Sequence, residues 1–383
     1  MPGGISPGKE MVKRMTWQEI EKELERRKLP ELLLSADGSR VENAADMDRR
    51  RQQIREILCR EFGGYSPDFP VTTEGKVCIR EENAYGGKAV REKTVLTFRT
   101  PFNAFSFSFE LFLPRKEEYG KEGAPVFVYL GFTGTPADGP GEEIIDNGFA
   151  LAHISYQEIA PDKNDGFANG LGRFCARNPF DSWGKLGMWA YGASRAADYL
   201  CGRPEIDSGR MAVMGHSRLG KAALWCGALD ERFSLTVSND SGGGGAALFR
   251  GKTGEHVSDL SKEGSAHWFC GNFSVYAGRE EEMPFDQHFL LAMTAPRYLY
   301  VASASRDEWA DPRSEFLSCA AASGAFERYG VPGLIPEEGA EQGGVPLMPL
   351  HQGHIGYHMR QGTHHLGRED WKHIMEYRRK HGV

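Results

Sequence analysis

The chain lacks any apolar run long enough to cross a bilayer as a helix, which excludes a helical membrane span. It also lacks a basic excess. Lys and Arg number 46 against 53 Asp and Glu, and a net charge of −7 argues against non-specific nucleic-acid binding. There is no C-x-x-C spacing. The seven cysteines (Cys59, Cys78, Cys175, Cys201, Cys226, Cys270 and Cys319) are scattered and odd in number, so they read as reduced thiols rather than a disulfide framework or zinc site. No internal repeat, low-complexity tract or clear linker interrupts the chain. The opening stretch, Met1 to Lys9, has no apolar segment of the signal-peptide kind. The expectation is a cytoplasmic protein, or a secreted one whose leader has been removed. What is present is ordinary globular composition: 383 residues, 40% hydrophobic and 26% charged, enough to bury a large core.

Met1 to Arg14 is rich in Gly and Pro and is expected to fray. Thr16 followed by Glu19 forms a capping-box signal for a helix over Trp17 to Lys28, and a second charged helical pattern runs from Asp46 to Phe62. Residues 1–65 therefore read as an N-terminal helical arm on the surface of a domain formed by residues 66–383. Val77-Cys78-Ile79, Thr94 to Phe98 and the alternating run Phe105 to Leu113 predict antiparallel strands at one sheet edge. Pro125 to Leu130, Gly148 to Ile154, Met211 to Met214, Phe233 to Val237 and Tyr298 to Ser303 predict buried parallel strands. Helical spacing over Trp183 to Leu200, and again from about Arg368, supplies the covering layers. The fold class predicted is α/β, with a mainly parallel central sheet and helices on both faces.

One stretch carries chemistry. Met211 to Trp225 reads as strand, abrupt turn and helix, with Ser217 on the turn. Gly215 permits a close reversal there, and Gly220, Ala222 and Ala223 let the helix press onto a sheet. A serine so placed projects into a cleft at a positive helix end, which is the requirement of a nucleophile elbow. The usual G-x-S-x-G spacing is stretched, since Gly220 comes one position late. A serine hydroxyl needs a histidine base, itself oriented by a carboxylate. In the α/β-hydrolase order the acid and then the histidine follow the serine on later strand ends. Asp240 and Asp307 both end later strands, and His351, His354, His358, His364 and His365 lie near the C-terminus. The residues alone leave acid and base open. A metal site at His351, His354 and His358 is disfavoured, because helical H-E-x-x-H context and companion acids are missing. Gly131 to Pro136, after an early strand, sits where part of an oxyanion site belongs, and the long Asp/Asn/Gly-rich loop Glu158 to Phe180 is suited to shaping a pocket. Arg195 reads as a structural ion-pair partner.

Several separated motifs give a sharper reading. Gly215-His216-Ser217-Arg218-Leu219-Gly220-Lys221, Ser238-Asn239-Asp240-Ser241-Gly242, His267-Trp268-Phe269-Cys270, Trp309-Ala310-Asp311-Pro312, Gly362-Thr363-His364 and the helix Trp183 to Tyr199 together resemble the glucuronoyl esterases of carbohydrate esterase family 15. The resemblance spans roughly Phe105 to Trp371. It implies an α/β-hydrolase fold and a serine carboxylesterase acting on esters between glucuronic acid units of xylan and lignin alcohols. The partner implied is a carbohydrate ester, and neither metal nor organic cofactor is required. The resemblance assigns Ser217 as nucleophile and His364 as base, with His365 a bystander. The family's acid falls on Asp240, a methylene shorter than the usual glutamate. An acid in the later loop, used by some bacterial relatives, falls on Asp307, towards which the reading leans. Arg218 is implied as an oxyanion partner, Lys221 as a uronate contact, Trp309 as the tryptophan that packs on the sugar, and Glu255 as a sugar-binding acid. The rival readings are an acetyl xylan esterase on the same scaffold and a non-catalytic carbohydrate-binding relative.

Overall fold

Strands of two kinds build one sheet. The computed structural model describes residues 16–133, 139–336 and 341–383. β1 (Thr72–Asn83), β2 (Ala89–Arg99) and β3 (Ala104–Pro114) run antiparallel at one edge, as their sequence pattern predicts. β3 then pairs antiparallel with β5 (Ala150–Ser155), the first of six mutually parallel strands. The others, in spatial order, are β4 (Ala124–Gly131), β6 (Ile206–His216), β7 (Phe233–Asn239), β8 (Tyr298–Ala304) and β11 (Ile355–Arg360). Two-residue strands β9 (Glu341–Gln342) and β10 (Val345–Pro346) form a separate ribbon. β4, β5 and β11 are buried along their whole length, whereas β1 is largely exposed. This contrast follows from sequence: continuous apolar runs suit strands covered on both faces, and the charged β1 suits an edge.

Six helices of ten residues or more occur among the described residues: α1 (Trp17–Arg27), α2 (Ala44–Leu58), α3 (Lys185–Leu200), α4 (Arg218–Leu229), α5 (Pro312–Arg328) and α6 (Arg368–His381). Trp371, Ile374, Met375 and Tyr377 of α6 close one face of the sheet over Phe127, Tyr129, Ala212 and Met214. α3, α4 and α5 close the other face. The capping box forms as predicted, with Thr16 accepting from the Glu19 amide. The segment expected to lie on the surface is also anchored inside. Ile20, Met47, Ile54, Leu58 and Phe62 join the main core, and the Phe62 ring meets Trp225, Phe269, Phe273 and Phe285. The exposed charges dominate the sequence pattern of these helices, but a narrow apolar stripe decides their seating. Met1 to Arg14 and Gly134 to Pro136 lie outside the described residues, as do 337–340.

All seven cysteines are unpaired. Among the described residues no helix is long and apolar enough to cross a membrane. Arg195 pairs with Asp198 at 3.1 Å.

Candidate active site

The parallel arrangement sends the loops after β6, β7, β8 and β11 to one end of the sheet. The turn after β6 is the tightest. A Cβ on Gly215 would stand 2.1 Å from the Leu219 carbonyl oxygen, so only glycine lets the helix start fold back onto the strand. Ser217 itself holds φ 57° and ψ −129°, a conformation that costs an L-residue about 1–3 kcal/mol. The turn is held in place, with the Ser217 amide donating to Asn239 O at 2.8 Å and its carbonyl accepting from the Lys221 amide at 3.1 Å. The late second glycine has its own reason. A Cβ on Gly220 would press to 3.0 Å from Ser241 Cβ, so this glycine fits α4 against the loop after β7.

The loops after β8 and β11 are joined to each other. Ser305 N donates to Arg360 O at 2.9 Å, and Arg306 N to Gly362 O at 2.8 Å. This pairing sets Asp307 beside His364, where Nδ1 of the imidazole lies 2.6 Å from Asp307 Oδ2. Asp307 is buried, while the His364 side chain is 41% exposed. Burial alone would raise the Asp307 pKa, but the hydrogen bond and charge of His364 outweigh it and hold the carboxyl below its ordinary value. An ionised Asp307 accepts from Nδ1–H and leaves Nε2 as the nitrogen able to take a proton.

Asp240 follows β7 directly, with its amide donating to Ala302 O at 2.8 Å. Its Oδ2 accepts from Arg360 Nη2 at 3.2 Å and from the His365 amide at 3.3 Å, and its buried Oδ1 has no hydrogen-bond partner among the described residues. Burial, and then the negative charge of Glu315, push this carboxyl well above its ordinary pKa despite Arg360. Ligand atoms of Asp240, Asp307 and His364 lie within 4.8 Å of one another, the one such cluster among the described residues. Of the two acids, Asp307 is the one that accepts from His364 Nδ1–H. His351 and His358 instead share the Tyr300 hydroxyl, and His354 Nδ1 bonds to Pro296 O. His365 is exposed, with Nδ1 3.2 Å from Thr363 O.

The eight side chains singled out from the sequence all line one cavity of about 450 Å³, a size suited to a small ligand. Lys221 is almost fully buried and donates to Glu255 Oε2 at 2.6 Å and to the Gly243 carbonyl. Gly242, at φ 57°, lets the chain pass beneath this pair, since a Cβ there would meet Glu255 Oε2 at 3.2 Å and Ala310 Cα at 3.0 Å. Trp309 stands at the rim, 52% exposed.

Three further residues went unassigned in the sequence. Asp162, in the loop expected to shape a pocket, accepts from Arg218, His267 and Trp268. Trp268 also lines the cavity, and its motif with His267 was the available signal. His216 donates Nδ1–H to Asn239 Oδ1 at 2.6 Å and packs its ring 4.6 Å from that of His364. Burial, then the neighbouring His364, lower its pKa to about 4, so it is neutral near pH 7. Of the turn expected to supply oxyanion donors, Gly131 to Thr133 are described and Gly134 to Pro136 are not.

Comparison with known proteins places the chain in a family. A family model described as "Glucuronyl esterase, fungi" matches residues 98–330. Carbohydrate esterase MZ0003, from an unknown prokaryotic organism, is 32% identical over 92% of this chain and 89% of its own length. The 4-O-methyl-glucuronoyl methylesterase of Phanerochaete carnosa is 28% identical over 80% of this chain and 73% of its own. The solved glucuronoyl esterase from Solibacter usitatus superposes with a TM-score of 0.82 at 34% identity, covering 92% of this chain and 97% of that one.

Proposed function

We propose, for a chain that belongs to the glucuronoyl esterases of carbohydrate esterase family 15, that Ser217, His364 and Asp307 cleave the ester of a (4-O-methyl-)glucuronic acid such as those linking glucuronoxylan to lignin. The protein is a carboxylic ester hydrolase of glucuronic acid esters with an α/β-hydrolase fold. The observation that supports these residue roles best is the 2.6 Å contact between His364 Nδ1 and Asp307 Oδ2 at the wall of the cavity that Ser217 also lines.

In this reading Ser217 Oγ attacks the uronic ester carbonyl as His364 Nε2 takes its proton. The proton passes to the leaving alcohol, and a uronyl ester of Ser217 remains. Water, activated by the same imidazole, then releases free uronate and restores the serine. Charge on the carbonyl oxygen in each transition state meets Arg218 and the N–H groups at the start of α4. The Lys221–Glu255 pair offers one fixed donor and one fixed acceptor to sugar hydroxyls, and Trp309 gives an apolar face to the ring. The substrate is a glucuronate ester of xylan or a xylo-oligosaccharide.

Hydrolysis of methyl glucuronate beside an acetylated xylan tests this. The wild type is expected to favour the glucuronate ester. Ser217→Ala is expected to lose roughly 10⁴-fold or more of kcat with unchanged thermal unfolding. Preference for the acetyl ester would overturn the substrate, and retained turnover in Ser217→Ala would overturn the nucleophile.

A further inference from the structure

Among the buried carboxylates near the cavity, Asp162 has no task in the steps above. It lies in the irregular chain after β5, 56 residues before the arginine it holds. Its side chain is 4% exposed and its two oxygens divide their partners. Oδ1 accepts from His267 Nε2 at 2.8 Å and Trp268 Nε1 at 2.7 Å. Oδ2 accepts from Arg218 Nη1 at 2.5 Å, with the Tyr156 hydroxyl at 3.4 Å. Burial would raise its pKa, but the bonds from His267, Trp268 and Arg218 prevail and bring it to about 2. The group is an anion throughout the working range of an esterase.

Arg218 gains a defined place from this. Its guanidinium carbon lies 4.9 Å from the Trp268 ring centre and 5.8 Å from that of Phe132. An arginine side chain free in solvent samples many rotamers, and a donor serves an oxyanion best when it is in place before charge develops. Charge matters as well. The substrate is a neutral ester at the reacting carbon, and the product is a carboxylate. A bare guanidinium beside Ser217 would hold that product. Lys221 is matched by Glu255 in the same way.

We propose that Asp162 is the positioning residue of Arg218: its carboxylate fixes the guanidinium beside Ser217 and balances its charge, so that the oxyanion is served while the uronate product is released. This rests on the glucuronoyl esterase reading of the site. A role confined to tying the loop to His267 and Trp268 would make no such link to Arg218 or to the product.

The test is a double-mutant cycle on methyl glucuronate with Asp162→Asn, Arg218→Met and the double variant, with inhibition by free glucuronate measured on the wild type and Asp162→Asn. Asp162→Asn is expected to lower kcat by ~10- to 100-fold with KM within about twofold, and to tighten inhibition by glucuronate severalfold. In the Arg218→Met background the same change should alter kcat by less than about twofold, because the two residues act as one unit. Multiplying losses, or unchanged product inhibition, would overturn the proposal. Should Asp162→Asn not fold, Asp162→Glu keeps the charge but displaces it by a methylene. The same fall in kcat at constant KM is expected, and wild-type kinetics would contradict the proposal. A wild type inert on methyl glucuronate would instead overturn the substrate assignment.

Discussion

The loops leaving β7 and β8 each place an aspartate near His364, and their surroundings make the two different. Asp307 gives an oxygen to the imidazole and another to the Ala310 amide at 3.2 Å. Asp240 faces Arg360, feels the charge of the buried Glu315, and keeps one oxygen without a partner among the described residues. The first carboxyl is held below its ordinary pKa and the second well above it. The site thus favours the anion on the carboxyl where a histidine base needs it and disfavours it on the other, since adjacent carboxylates ionise together only at a cost. Position at a strand end qualifies an acid for the triad, and its charged neighbours decide whether it serves.

Substitutions can break this comparison. Asp307→Asn should have the largest effect, a fall in kcat of about 10³- to 10⁴-fold, because the amide no longer holds the required tautomer. Steady-state kinetics on methyl glucuronate would show it. Next is Arg360→Met. This guanidinium also donates to Asp370 Oδ2 at 2.8 Å and to the carbonyls of Thr363 and His365, so it supports the His364 loop. Removing it from a buried cluster should cost about 3–5 kcal/mol of stability in chemical denaturation. Asp240→Asn should do less, keeping kcat within about tenfold of wild type. A loss equal to that of Asp307→Asn would show both acids to be needed.

The smallest effect is a pH dependence. A folded-state pKa raised above that of the unfolded chain adds stability that is complete below pH 3.8 and is lost as pH rises through the folded value. Asn does not titrate. The melting temperature of Asp240→Asn relative to wild type should therefore climb as pH rises from 4. A difference flat with pH would contradict the raised pKa.

Much of this site was legible in the sequence because its parts are local. The elbow needs glycine and serine within six positions, and the apolar runs of β4 to β8 announce a parallel sheet. The acid was harder, because Asp240 and Asp307 both end strands. The residue that separates them, Arg360, lies 120 positions from Asp240. Asp162 was hidden for the same reason, sitting in irregular chain with partners 56 and more than 100 residues away. The anchoring of the N-terminal helices was obscured by their charge: Ile20 is the single buried residue of α1, yet it joins the main core.

The most direct test is proton NMR of the low-field imidazole Nδ1–H of His364 in the wild type, Asp307→Asn and Asp240→Asn. A short bond from imidazole to carboxylate moves this proton far downfield. The resonance should be present in the wild type, persist in Asp240→Asn and vanish in Asp307→Asn. Loss in Asp240→Asn with retention in Asp307→Asn would contradict the assignment of Asp307 as the acid that orients His364.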